Sequence, residues 1–197
     1  MQKCSVVNIA HSLMQFRLST ALNIVDATAG NGKDTLFLAK NSCEDAVVFS
    51  FDIQQEAIHN TEILLKKHRL DYKVRLILDN HANLSNYIKA PIDAAVFNLG
   101  YLPGGNHEFT TNTTSTMTAM KQVVERLALG GMVSIIAYPG HSAGFEEHTV
   151  LRQYLSDLPS SIYTVGCWEM INHVKSPPVL YLIEKVRSEA REGCTAY

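Results

Sequence analysis

The sequence predicts an α/β protein, a single domain over residues 1–186 with a seven-stranded, mostly parallel sheet and helices on both faces. Two observations carry that reading. Apolar segments alternate between strand-like and helix-like periods along the chain. The first strand also runs straight into a glycine-bearing turn that opens a helix, Asp26-Ala-Thr-Ala-Gly-Asn-Gly32.

Each element can be placed in order. A helix over about residues 7–19 precedes a strand at 23–26, and a second helix covers 33–40. Strand two is 46–51. From Gln54 to Arg69, Ala57, Ile58, Thr61, Leu64, Leu65 and His68 recur at helical spacing, and strand three follows at 74–78. Strand four is 92–97. Met117, Met120, Val124 and Leu127 form one helical stripe that Gly130 and Gly131 stop, and the β-branched run 132–138 is strand five. After a helix at about 145–157, strands at 162–169 and 179–186 close the sheet as an antiparallel pair, and the polar stretch 187–197 reads as a frayed tail.

Composition fits a compact intracellular enzyme. The 197 residues are 46% hydrophobic and 18% charged, with a net charge of -2 that makes the whole chain no polyanion magnet. Cys4, Cys43, Cys167 and Cys194 lack C-x-x-C spacing and a histidine pattern, so they read as reduced thiols, with no disulfide framework and no metal. No signal peptide or membrane span is expected, and the expected location is the cytoplasm. Lys66, Lys67 and Arg69, the densest basic cluster, read as a solvated helix end favoured by the helix dipole.

The glycine turn points to a nucleotide-like ligand. Gly30 and Gly32 let backbone N–H groups approach it, and the helix N-terminus adds partial positive charge. Asp52, ending the second strand, is placed to accept from two ribose hydroxyls. A phosphate-cradling loop would want Gly at 27 and Ser or Thr at 34, where the chain has Ala27 and Asp34. A dinucleotide fingerprint would want Gly at 35, where Thr35 stands, and Asp34 would repel a pyrophosphate. What remains is an adenosine ligand without phosphates that carries an ammonium for Asp26, and S-adenosylmethionine fits.

Ligands of open α/β sheets bind at the carboxyl ends of strands. After strand three, Asp79 or Asn80 can meet an adenine edge and His81 can wall the pocket, or the same residues can cap a helix. After strand four, Asn98 can accept from an amine nucleophile and Tyr101 can stack on a nucleobase. After strand five, His141 can take a proton, while Glu146 or Glu147 can bind an ammonium or favour a helix start.

Four ordered segments, 26–32, Phe51-Asp-Ile-Gln54, Asn98-Leu-Gly-Tyr-Leu-Pro-Gly-Gly105 and Tyr138-Pro-Gly-His141, closely resemble the YtqB/MnmM family, long labelled rRNA methylases. The resemblance spans about residues 24–182. It implies a Rossmann-like class I S-adenosylmethionine-dependent methyltransferase acting on the aminomethyl group of 5-aminomethyl-2-thiouridine at the tRNA wobble position. Thr28, Asn31, Asp34, Ile53 and Gln54 then join Asp26, Gly30, Gly32, Asp52, Asp79 and His81 as cofactor contacts. Asn98, Tyr101 and His141 become the catalytic candidates, and Tyr101, Pro103, Gly104, Tyr138 and Glu147 the substrate contacts. Asn106-His107 stands where the family has an Asp-Lys pair, a departure on the substrate side. The alternative acceptors are rRNA and a small molecule. The implied partner is the tRNA anticodon region, gripped by a homodimer because no appended RNA-binding module is visible.

Overall fold

A computed structural model describes residues 5–100 and 112–188. The elements run α1 (Val6–Leu18), β1 (Asn23–Asp26), α2 (Lys33–Asn41), β2 (Val47–Asp52), α3 (Gln55–His68), β3 (Val74–Leu78), α4 (Leu84–Tyr87), β4 (Ile92–Asn98), α5 (Thr113–Arg126), β5 (Leu127–Ala137), α6 (Ser142–Ser156), β6 (Tyr163–Trp168) and β7 (Val179–Lys185). Short 3₁₀ turns precede β3 and α4.

Seven strands form one sheet in the order β3-β2-β1-β4-β5-β7-β6. β1 to β5 are parallel, β7 lies antiparallel to β5, and β6 antiparallel to β7, as the sequence predicts. The chain winds outward from β1 to β3 on one side and from β4 to β6 on the other. β1 and β4 are therefore the neighbours at which the winding reverses, and the crevice above their carboxyl ends is where such sheets bind ligands.

The central strands are apolar on both faces because helices cover both. Ile24, Val48 and Val96 pack with Met14, Leu18, Leu38 and Leu65 on the side of α1, α2 and α3. Val25, Phe51, Phe97 and Ile135 pack with Leu84, Met120, Val123 and Leu151 on the other. Burying each such side chain contributes about 1.5–3 kcal/mol, which fixes the strand ends that carry the site.

The boundary between α5 and β5 differs from the sequence reading. Leu127, expected on the helical stripe, is the first residue of β5, and Gly130 and Gly131 lie inside that strand. Pairing jumps from Ile92 opposite Leu127 to Ala94 opposite Met132, so β5 bulges outward between them. Gly130 takes a φ of +72°, and a Cβ on Gly131 would meet the Ala128 carbonyl oxygen at 2.8 Å. The glycines thus permit a bulge in a strand rather than terminate a helix. The sequence reading also missed α4, which is too short to display a period.

Candidate active site

The turn between β1 and α2 is built around buried carboxylates. Asp26 accepts the Thr28 N–H through Oδ1 at 3.0 Å and the Thr35 hydroxyl through Oδ2 at 2.6 Å. Thr35 also lies 2.8 Å from the Ser50 hydroxyl, which ties the turn to β2. Gly30 and Gly32 have φ of +53° and +76°, in the left-handed region that favours glycine. A Cβ on Gly32 would sit 2.9 Å from Thr61 Oγ1, so α3 closes directly against the turn. Gly32 is also the N-cap of α2 and offers no side-chain cap, leaving first-turn N–H groups for a ligand.

Asp52 closes the other side. Its Oδ2 accepts the Gly30 N–H and its Oδ1 accepts the Gln54 N–H, each at 2.9 Å. A carboxylate offers about four lone-pair directions, so two remain for a diol. Ile53 is 51% exposed beside it, an apolar surface for a planar ring. Asn31 is engaged at the rim, where its Oδ1 receives a long bond from the Asn60 amide.

The field here is negative. Burial, then the charge of Asp34, pushes the Asp26 carboxyl up to about 7, and Asp52 adds to the effect. Carboxylates at Asp34 and Asp52 that raise the cost of ionising Asp26 attract a cation and repel phosphate.

At the β3 exit the structure favours capping. Asp79 accepts from the Asn80 N–H, the Asn83 amide and the Tyr87 hydroxyl at 2.7–2.8 Å, and the side-chain donors hold its carboxyl below the usual range. Asn80 Oδ1 accepts the Ala82 N–H at 2.8 Å. His81 is buried; its Nδ1 bonds the Ala27 carbonyl oxygen at 2.9 Å, and burial lowers its pKa. Since a carbonyl only accepts, Nδ1 carries the proton and the neutral ring braces the β1 exit from below. Among the described residues its Nε2 has no partner.

The β4 exit joins three other elements. The Asn98 N–H donates to Thr28 Oγ1 at 2.8 Å, its Nδ2 donates to Asp34 Oδ2 at 3.0 Å, and its Oδ1 accepts the Tyr138 hydroxyl at 2.9 Å. Asp34 Oδ1 meets His11 Nε2 at 2.7 Å, and His11 stacks flat on Phe37 with ring centroids 3.7 Å apart. Burial, then the charge of Asp34, raises the Tyr138 pKa. Sequence reasoning missed His11: it precedes the first strand in a helix with no motif, and only the fold brings it to Asp34.

His141 has a structural task. It is the N-cap of α6 and its Nδ1 accepts the Gly144 N–H at 3.1 Å, so its accepting lone pair is engaged. Its ring is exposed. Glu147 is buried in α6 and accepts the Thr116 hydroxyl of α5 at 2.6 Å, while Glu146 faces solvent. Tyr101, Pro103 and Gly104, with Asn106 and His107, lie outside the described residues. Among the described residues, no group of three or more His, Cys, Asp and Glu could hold a metal ion, and no helix is long and apolar enough to cross a membrane.

A family model described as "Putative rRNA methylase" matches residues 48–184. The chain belongs to this methylase family. A tRNA (mnm(5)s(2)U34)-methyltransferase of Arabidopsis thaliana, chloroplastic, is 32% identical over 187 residues, 90% of this chain and 68% of that protein. A crystal structure of a "putative rRNA-methylase" from Clostridium thermocellum superposes with a TM-score of 0.90 at 37% identity, covering 94% of this chain and all of that one. A "putative methyltransferase" from Streptococcus mutans, solved in complex with SAH, superposes with a TM-score of 0.84 at 33% identity, covering 93% and 99%.

For a methylase of this fold, the donor set is chemically apt. S-adenosylmethionine is cationic at both sulfur and α-amine, and the Asp26, Asp34 and Asp52 cluster favours such charge over a phosphate chain. The left-handed φ of Gly30 and Gly32 shapes the turn, and the missing Cβ of Gly32 makes room for Thr61 of α3 against it.

Proposed function

We propose that this S-adenosylmethionine-dependent methyltransferase transfers a methyl group to the primary amine of 5-aminomethyl-2-thiouridine at the tRNA wobble position, giving the 5-methylaminomethyl nucleoside. The supporting observation is the Asn98 amide. It stands at the β4 exit beside the acid-ringed turn, with both of its ends fixed by Asp34 and Tyr138. Its carbonyl oxygen retains a second lone pair for an amine N–H. The resemblance to the Arabidopsis enzyme supports tRNA as the acceptor.

The bound cofactor supplies an electrophilic methyl group on a positively charged sulfur. The residues supply alignment. Asn98 Oδ1 accepts one N–H of the amine and turns its lone pair toward the donor, while Asp52 and the glycine turn hold the adenosyl end. Tyr101 is assigned to stack on the nucleobase, and Pro103, Gly104, Tyr138 and Glu147 to shape the acceptor side. The amine reacts as its free base, so it sheds its proton before attack. With Nδ1 engaged as a cap, His141 serves as the acceptor of that proton only by releasing Gly144.

The description of the family as an rRNA methylase favours a second reading, with rRNA as the acceptor. Incubation with labelled methyl donor and separate tRNA and rRNA pools decides between them. Label in 5-aminomethyl-bearing tRNA supports the proposal, and label confined to rRNA overturns it. A deletion strain should accumulate the unmethylated aminomethyl nucleoside by mass spectrometry. We further propose that two copies grip one anticodon arm; a strict monomer in light scattering with tRNA bound would end that idea.

A further inference from the structure

The structure assigns to His11 the role of a positioning residue that acts through Asp34 to fix which end of the Asn98 amide faces the acceptor. This rests on the reading of Asn98 given above. An asparagine amide is nearly symmetric in shape, and packing alone does not choose between its oxygen and its nitrogen. The choice is set by neighbours that can only donate or only accept.

Asp34 is such a neighbour, because a carboxylate oxygen only accepts. Its Oδ2 demands Nδ2 of Asn98 at 3.0 Å and sends Oδ1 toward the Tyr138 hydroxyl. Asp34 is 7% exposed, so each of its oxygens needs a hydrogen-bond partner. His11 Nε2, 2.7 Å from Oδ1, provides one. Facing an ionised carboxylate, that nitrogen carries the proton. Without this donor, Asp34 Oδ1 has no hydrogen-bond partner among the described residues, and the carboxylate turns to find one. A turned carboxylate releases Nδ2, which permits the flipped amide. The flipped amide presents N–H groups to an amine that needs an acceptor, so transfer slows, while Asp34 keeps its charge and the glycine turn keeps its bonds to Asp26 and Asp52.

His11 also stacks on Phe37, and the two roles can be separated. His11→Phe keeps an aromatic ring on Phe37 and loses the N–H. His11→Gln loses the ring and restores an N–H. Positioning predicts that H11F lowers kcat for tRNA methylation about tenfold to a hundredfold, with affinity for S-adenosylhomocysteine within about twofold of wild type. H11Q should recover most of that loss.

The packing alternative predicts the reverse order, with H11F near wild type and H11Q impaired; that result overturns the inference, as does an equal loss of turnover and cofactor affinity in both variants. If the wild-type protein methylates no tRNA, the functional reading fails and the inference is judged by nuclear magnetic resonance. The Asn98 side-chain amide resonances should move in H11F and return in H11Q. Unmoved resonances overturn the inference whatever the acceptor.

Discussion

The Gly30 N–H donates to Asp52 Oδ2 at 2.9 Å, which makes the glycine turn after β1 and the acid ending β2 a single unit. Asp52 therefore orders the turn as well as offering lone pairs to a ligand. Replacing it by alanine removes both. Charge-assisted hydrogen bonds are worth roughly 1.5–3 kcal/mol each, so D52A should weaken S-adenosylhomocysteine binding at least tenfold by calorimetry. Asn keeps one acceptor oxygen, and D52N should fall between the two. Unchanged affinity in D52A would remove Asp52 from the cofactor site.

Gly32 is constrained twice, by its φ of +76° and by Thr61 Oγ1 2.9 Å from where a Cβ would stand. G32A should destabilise the fold by about 1–3 kcal/mol from backbone strain alone, with the clash adding to it. Gly166 in β6 is the control, because a Cβ there meets nothing within 4 Å. G166A should be neutral or stabilising by up to about 1 kcal/mol. Urea unfolding of both variants tests this contrast, and equal midpoints would refute it.

The parts of this molecule that were legible in the sequence are those encoded locally. Strands β1 to β4 are apolar runs bounded by acids and glycines, and Asp26, Asp52 and Asn98 could be placed because each ends such a run. Gly130 and Gly131 misled because glycine stops a helix and permits a bulge equally well, and only the pairing with β4 decides. Asp79 reads as an adenine contact or as part of a capping turn; three of its acceptor directions go to Asn80, Asn83 and Tyr87, the last in a helix too short to announce itself. His11 had no local signal at all, since its partner Asp34 lies 23 residues away across two elements.

Asp26 should make cofactor binding pH-dependent. Burial, reinforced by Asp34, raises its carboxyl from an ordinary 3.8 to about 7. In that window the folded protein holds a proton that the unfolded chain has lost, so ligand-free stability should fall as pH rises from about 4 to 7. A bound cation favours the ionised form, and binding should then release a proton. S-adenosylmethionine affinity should accordingly rise as pH passes through about 7, and D26N should flatten both slopes. Calorimetry near pH 6.5 in two buffers of different ionisation enthalpy reads the proton directly; identical heats would contradict the assignment.

Replacing Asn98 should separate turnover from cofactor binding. Its side chain touches Asp34 and Tyr138, whereas the glycine turn proposed for the adenosyl end is held by Asp26 and Asp52. N98A should therefore reduce kcat far more than affinity for S-adenosylhomocysteine. It also removes a donor from the nearly buried Asp34, so a stability loss of about 1–3 kcal/mol should accompany it, and turnover must be compared well below the melting temperature. Y138F tests the same point more gently, because it deletes only the hydroxyl that donates to Asn98 Oδ1 and leaves the amide in place. Its loss in kcat should be smaller than that of N98A. N98D should be worse than N98A, since it sets a second carboxylate beside Asp34 where an amide donor stood. Equal losses of turnover and cofactor affinity across this series would show that Asn98 shapes the cofactor crevice and does not hold the acceptor.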